Sequence, residues 1–74
     1  MKMIEFSVKL KELRKQRGVK QTDMAKYLNI NTRHYQRYEA GEVDPPTSTT
    51  IALADYFNVS LDYLVGRSDN PTRL

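Results

Sequence analysis

A chain of 74 residues with 39% hydrophobic content can close one small core, near the lower limit for a domain that stands alone. With no cysteine and a single histidine it can build neither a disulfide framework nor a thiolate or multi-histidine metal site, so packed helices must hold it and neither metal nor cofactor is expected. The net charge of +3 conceals an asymmetry, because residues 1–41 hold ten Lys or Arg against four acids and residues 42–74 hold two against five. A basic half of that strength is expected to attract phosphate. No apolar run approaches the ~20 residues of a membrane span and no basic-then-apolar leader opens the chain, which points to a soluble, cytoplasmic protein.

The first helix is expected from about Phe6 to Arg17, with Phe6, Leu10 and Leu13 on one face and Lys, Arg and Gln between them facing water. Ser7 is an alternative cap that would start it a turn later, and Val8 lies off the apolar stripe. Gly18 should end the helix where left-handed backbone is easiest, with Val19 packing into the corner. Lys20 is a poor N-cap for the second helix, and Asp23 in its first turn should compensate through the helix dipole. Met24, Ala25 and Leu28 form that helix's inner stripe. Asn29 then sits where the chain must bend, Ile30 plugs the corner, and Asn31 can cap a third helix whose Tyr35 and Tyr38 recur three apart. Two short helices joined so tightly read as a helix-turn-helix.

Thr32, Arg33, Gln36 and Arg37 occupy the opposite face of that third helix, and all four can bond to nucleic-acid groups. Arg33 and Arg37 lie one turn apart, and each can donate two bonds to guanine O6 and N7, although Arg37 could instead meet only phosphate. Thr32 offers a methyl to thymine or a hydroxyl to phosphate. Gln36 can pair with adenine or stay solvated, and His34 should lie to one side in solvent. Lys20, Gln21 and Asn31 are phosphate candidates near the starts of the two helices, and Tyr38 should be core with its hydroxyl at the phosphate backbone. A short helix that is aromatic inside and rich in Arg and Gln outside suits a DNA groove.

After Gly41 the segment Glu42-Val43-Asp44-Pro45-Pro46 cannot be helical. A fourth helix should run from about Thr47 to near Phe57 with Thr50, Leu53, Ala54 and Phe57 inward, its hydroxyl-rich first turn held by packing. Ser60 should cap a short fifth helix in which Leu61, Leu64 and Val65 are available for burial, and Gly66 should end it. Residues 67–74, with Pro71, have no periodic face and read as a tail or the start of a linker, which leaves 1–66 as the domain. There is no glycine-rich phosphate loop and no nucleophile with a plausible base. No catalytic residues and no small-molecule ligand are therefore expected.

Several pieces in order carry a resemblance: Leu10-Lys11-Glu12-Leu13-Arg14, Gln21, Ala25, Arg37-Tyr38-Glu39-Ala40-Gly41, Leu53-Ala54-Asp55, and Val59-Ser60-Leu61-Asp62-Tyr63-Leu64-Val65-Gly66. Over about Phe6 to Arg67 the chain resembles the phage-repressor/Cro-like helix-turn-helix family, also called the xenobiotic-response-element type. The resemblance implies an all-α fold, a compact five-helix bundle of lambda-repressor-like type with the helix-turn-helix at helices 2 and 3. It also implies sequence-specific binding of double-stranded operator DNA by a transcriptional regulator, commonly a repressor. Helix 3 would lie in the major groove, and two copies would pair on a palindrome. Position by position, it implies base reading at Thr32, Arg33 and Arg37, to which helical geometry adds Gln36. It further implies a phosphate grip at Gln21, an Arg14–Glu39 pair bridging helices 1 and 3, and a homodimer contact at Leu61 and Tyr63. The chain departs from the family pattern at Asn29, where Gly is frequent, at Tyr35, where an aliphatic residue is usual, and at Glu42, where Lys is common. The alternative function is a protein-interaction module of the same fold, an antitoxin or co-regulator.

Overall fold

Five helices follow in order in the computed structural model, which describes residues 3–73: α1 (Met3–Gln16), α2 (Gln21–Leu28), α3 (Thr32–Glu39), α4 (Thr47–Phe57) and α5 (Leu61–Leu64). No strand occurs among the described residues, so the fold is all-α as expected. Helix α1 begins three residues before Phe6 and stops one before Arg17. Ser7 is therefore not a cap. It lies inside α1 at 6% exposure, packed close to Gly41.

Every helix closes in the same way. A residue with positive φ follows the last turn in each case, at Gly18, Asn29, Gly41, Asn58 and Gly66. Around it two backbone bonds recur: at the end of α2, the Asn29 N–H donates to Lys26 O (3.1 Å) and the Ile30 N–H to Ala25 O (3.0 Å). This pair satisfies carbonyls that a helix end would otherwise leave open. Asn29 holds the turn of the helix-turn-helix at φ 58°, a left-handed conformation that asparagine tolerates better than most residues. The N-termini differ more. Asn31 and Ser60 cap α3 and α5, accepting from the His34 and Tyr63 N–H groups at 2.7 and 3.0 Å. Lys20 offers α2 no side-chain cap, and the Asp23 carboxylate instead accepts from the Lys20 N–H at 3.4 Å.

The core is one cluster to which every helix contributes: Phe6, Leu10 and Leu13 from α1, Met24 and Ala25 from α2, Tyr35 and Tyr38 from α3, Leu53, Ala54 and Phe57 from α4, and Leu64 from α5, with Val59 between the last two. Thr50 completes the inner face of α4, and its hydroxyl donates to Pro46 O at 3.2 Å, which anchors the weak first turn. Helix α5 has a single turn and can bury one side only. Leu64 takes that place, Val65 is half-buried, and Leu61 stays 42% exposed, so it is not the core residue its spacing allowed.

Two arginines meet the carbonyl end of α4, where the helix dipole favours positive charge. Arg17 Nη2 donates to Phe57 O at 2.6 Å, and Arg73 Nη1 donates to Ala54 O at 3.3 Å while its Nη2 reaches Asp55 Oδ1 at 2.5 Å. The second of these folds the last described residues back onto the bundle. Pro71 O accepts from the Ser60 N–H at 2.9 Å.

Candidate nucleic-acid interface

Helix α3 is divided sharply between its two sides. Tyr35 (0% exposed) and Tyr38 (2%) point inward with their rings edge to face at 6.4 Å, whereas Arg33, Gln36 and Arg37 are exposed together on the far side and Thr32 is half-buried at the start. With eight residues at 100° each, an inner pair three apart leaves the two intervening positions to solvent, and Arg33 lies one turn before them. Arg33, Gln36 and Arg37 line one open depression, whose rim is completed by Ala40 and Glu42.

Behind this face lies a polar network that positions α3. Arg14 grips Glu39 with both edges of its fork, Nε to Oε2 at 2.5 Å and Nη2 to Oε1 at 3.1 Å, and its remaining Nη1 donates to Val19 O at 2.9 Å. The Tyr35 hydroxyl donates to Glu39 Oε2 at 2.5 Å and Gln21 Nε2 to Oε1 at 3.1 Å, so each carboxylate oxygen accepts twice. The two ion-pair side chains are 12% and 3% exposed, which makes this a largely enclosed pair whose carboxylate is saturated. Its electrostatics follow from that. Burial works to raise the Glu39 pKa, but the hydrogen bonds from Arg14, Tyr35 and Gln21 outweigh it and hold the carboxyl below its ordinary value. The Glu39 hydrogen bond raises Arg14 against its own desolvation. Burial, reinforced by the bond to Glu39, pushes Tyr35 well above the usual phenol range, so it remains a donor.

The phosphate candidates sit around this network. Gln21 is half-buried, and besides its bond to Glu39 its Oε1 accepts from Gln36 Nε2 at 3.1 Å. One amide thus links the buried ion pair to the outer face of α3. Lys20 and Asn31 are exposed at the N-termini of α2 and α3. The Tyr38 hydroxyl meets His34 Nε2 at 3.0 Å, their rings stacked edge to face at 5.0 Å. His34 is therefore a half-buried partner of Tyr38, not a solvated bystander. Arg37 Nε lies 3.8 Å from Glu42 Oε1. The dimer candidates lie elsewhere: Leu61 is exposed beside Ile51, and Tyr63 is half-buried with Lys9 Nζ 4.2 Å from its ring centroid.

The Tyr35–Glu39 and His34–Tyr38 contacts are both four apart on one helix, a spacing that makes them neighbours and could have announced them. The Gln21–Gln36 link joins two helices and has no such signal.

Comparison with known proteins places this geometry. Residues 10–64 match the helix-turn-helix family. The chain is 39% identical over 61 residues to the HTH-type transcriptional regulator ImmR of Bacillus subtilis (strain 168), an alignment covering 82% of this chain and 48% of ImmR. It is 31% identical over 64 residues to the cryptic phage CTXphi transcriptional repressor RstR of Vibrio cholerae, covering 86% of this chain and 58% of RstR. A crystal structure of a transcriptional regulator from Listeria innocua superposes with a TM-score of 0.80 at 41% identity, over 82% of this chain and 57% of that one. The chain thus spans about half to three fifths of the length of these relatives.

Proposed function

Because the chain belongs to the helix-turn-helix family, we propose that it binds double-stranded DNA sequence-specifically as a transcriptional repressor, with α3 in the major groove. The observation that carries this reading is the outer face of α3, where Arg33, Gln36 and Arg37 stand exposed together over a rigid aromatic base. The positive balance of residues 1–41 adds general phosphate attraction. Thr32, Arg33 and Arg37 read bases, with Gln36 beside them. Lys20, Gln21 and Asn31 hold the backbone: Gln21 directs one amide hydrogen to Glu39 and keeps the second for a phosphate, and Asn31 caps α3 with its oxygen and keeps its amide nitrogen free to donate. Because the Tyr38 hydroxyl is joined to His34, the contact foreseen for Tyr38 reaches a phosphate through His34.

Selection of duplexes from a random pool, followed by titration at several salt concentrations, tests the reading. Arg33→Ala should weaken the selected site by on the order of 1–3 kcal/mol and relax the choice at one base pair per half-site, while Gln21→Ala should weaken all sequences more evenly. A chain that binds no duplex in a salt-dependent way, and instead captures a protein through α3, would be the interaction module.

One α3 touches too few base pairs for useful discrimination, so two copies are expected on a palindrome with their recognition helices about 34 Å apart. Exposed Leu61 and Ile51 line one shallow depression, and half-buried Tyr63 lies on the same short helix as Leu61. Titration onto the selected palindrome should show cooperative two-to-one binding, which Leu61→Asp and Tyr63→Asp abolish with the helical spectrum intact. One-to-one saturation by the wild type would exclude this pairing.

A further inference from the structure

Glu42 is out of place on a face built to approach phosphate. Among the described residues lining the depression over α3 it carries the one negative charge, against Arg33 and Arg37. Its position is set by backbone bonding and not by chance contact. The turn that closes α3 directs the Glu42 N–H onto the carbonyl of Arg37 at 3.0 Å, and the Glu42 carboxylate then lies 3.8 Å from Arg37 Nε. The two residues are joined by a main-chain hydrogen bond, and their opposite charges face each other across a longer side-chain ion pair. Both side chains remain about half exposed, 48% and 59%, so the pair is available to a ligand.

We infer that Glu42 is a positioning residue for specificity: it holds Arg37 for a base edge and keeps it away from phosphate. This rests on the reading of α3 as the DNA-reading helix. An arginine near the end of a recognition helix has two destinations, a guanine that uses its paired terminal nitrogens or the nearest phosphate, and the phosphate carries the larger charge. Glu42 alters that competition in two ways. Its carboxylate faces the Nε side of the guanidinium, which favours presenting the edge with both terminal nitrogens for the paired bonds to O6 and N7. It also places a negative charge beside Arg37, which repels phosphate and spares an uncharged base. The acid therefore lowers affinity for DNA at large and raises discrimination.

The test compares variants on duplexes selected by the wild-type chain and on random duplex. Glu42→Gln should bind random duplex more tightly, with a salt dependence steeper by about one phosphate contact. It should also lose about tenfold of the preference for guanine at one base pair per half-site. Glu42→Asp should keep most of that preference. In an Arg37→Ala background, Glu42→Gln should leave base preference unchanged, because no guanidinium is left to position. Full guanine preference in Glu42→Gln, or an equal loss with and without Arg37, overturns the inference while leaving α3 as the reader. A wild-type chain that selects no motif brings down the reading of α3 and this inference together.

Discussion

Tyr35→Ala should lower the stability of the fold by about 3–5 kcal/mol, the range for removing a buried aromatic ring. Tyr35 is fully buried beneath α3 and is among the largest wholly enclosed side chains of the bundle. The truncation removes the ring, opens a cavity directly under the exposed Arg33, Gln36 and Arg37 face of α3, and deprives Glu39 Oε2 of a donor. In a domain this small, whose total stability is on the order of 5–10 kcal/mol, that is a large share of the margin. Urea unfolding followed by helical ellipticity measures it. Tyr35→Phe separates the two contributions: it keeps the ring and loses only the hydrogen bond, so it should cost about 1–3 kcal/mol. A Tyr35→Ala variant that unfolds within 1 kcal/mol of wild type, to order of magnitude, would mean that α3 does not rest on this side chain.

The second large effect is expected at the ion pair. Glu39→Ala leaves the Arg14 guanidinium at 12% exposure without its partner, and Arg14→Ala leaves the more deeply buried carboxylate. Each should cost on the order of 3 kcal/mol, since breaking one side of a buried pair strands the other charge. The double variant should lose less than the sum, by roughly 0.5–3 kcal/mol of coupling. Additive losses would reduce the pair to two unrelated charges. Its pH dependence has a definite sign. The Glu39 pKa is lower folded than unfolded, so the stability it contributes is complete above the unfolded carboxylate value of about 4.3 and disappears as pH falls through the lower folded value. Wild-type stability should therefore fall steeply on acidification below about pH 4, and Glu39→Gln should flatten that limb. An unchanged acid limb in Glu39→Gln would place the titrating group elsewhere.

Much of this architecture was legible in the residues because short-range rules determine it. Helix α4 spans Thr47–Phe57 and buries Thr50, Leu53, Ala54 and Phe57, the stripe that helical spacing selects. Asn29 and Gly18 end their helices because few residues tolerate the left-handed backbone that a tight closure requires. The exposed set Arg33, Gln36 and Arg37 follows from the burial of Tyr35 and Tyr38, since a helix that turns one side inward must turn the other out. Periodicity and end chemistry are properties of neighbours along the chain, and the chain alone determines them.

Other features waited for the packed bundle. The burial of Ser7 depends on its packing close to Gly41, 34 positions away. Leu61 and Leu64 have the same hydrophobicity, and only the docking of α5 on the core decides that Leu64 is enclosed and Leu61 exposed. The chain shows that Arg14, Gln21 and Glu39 are polar, and resemblance pairs the first with the third. Only the crossing of α1, α2 and α3 assembles them with Tyr35 and Gln36 into one network running from the core to the exposed face of α3. The residues at 67–73 show no periodic face, yet Arg73 finds the carbonyl end of α4 and Pro71 the N–H of Ser60. Hydrogen-bond partners distant in sequence are chosen by where helices cross, and that choice belongs to the tertiary structure because the core volume, not local propensity, sets the crossings.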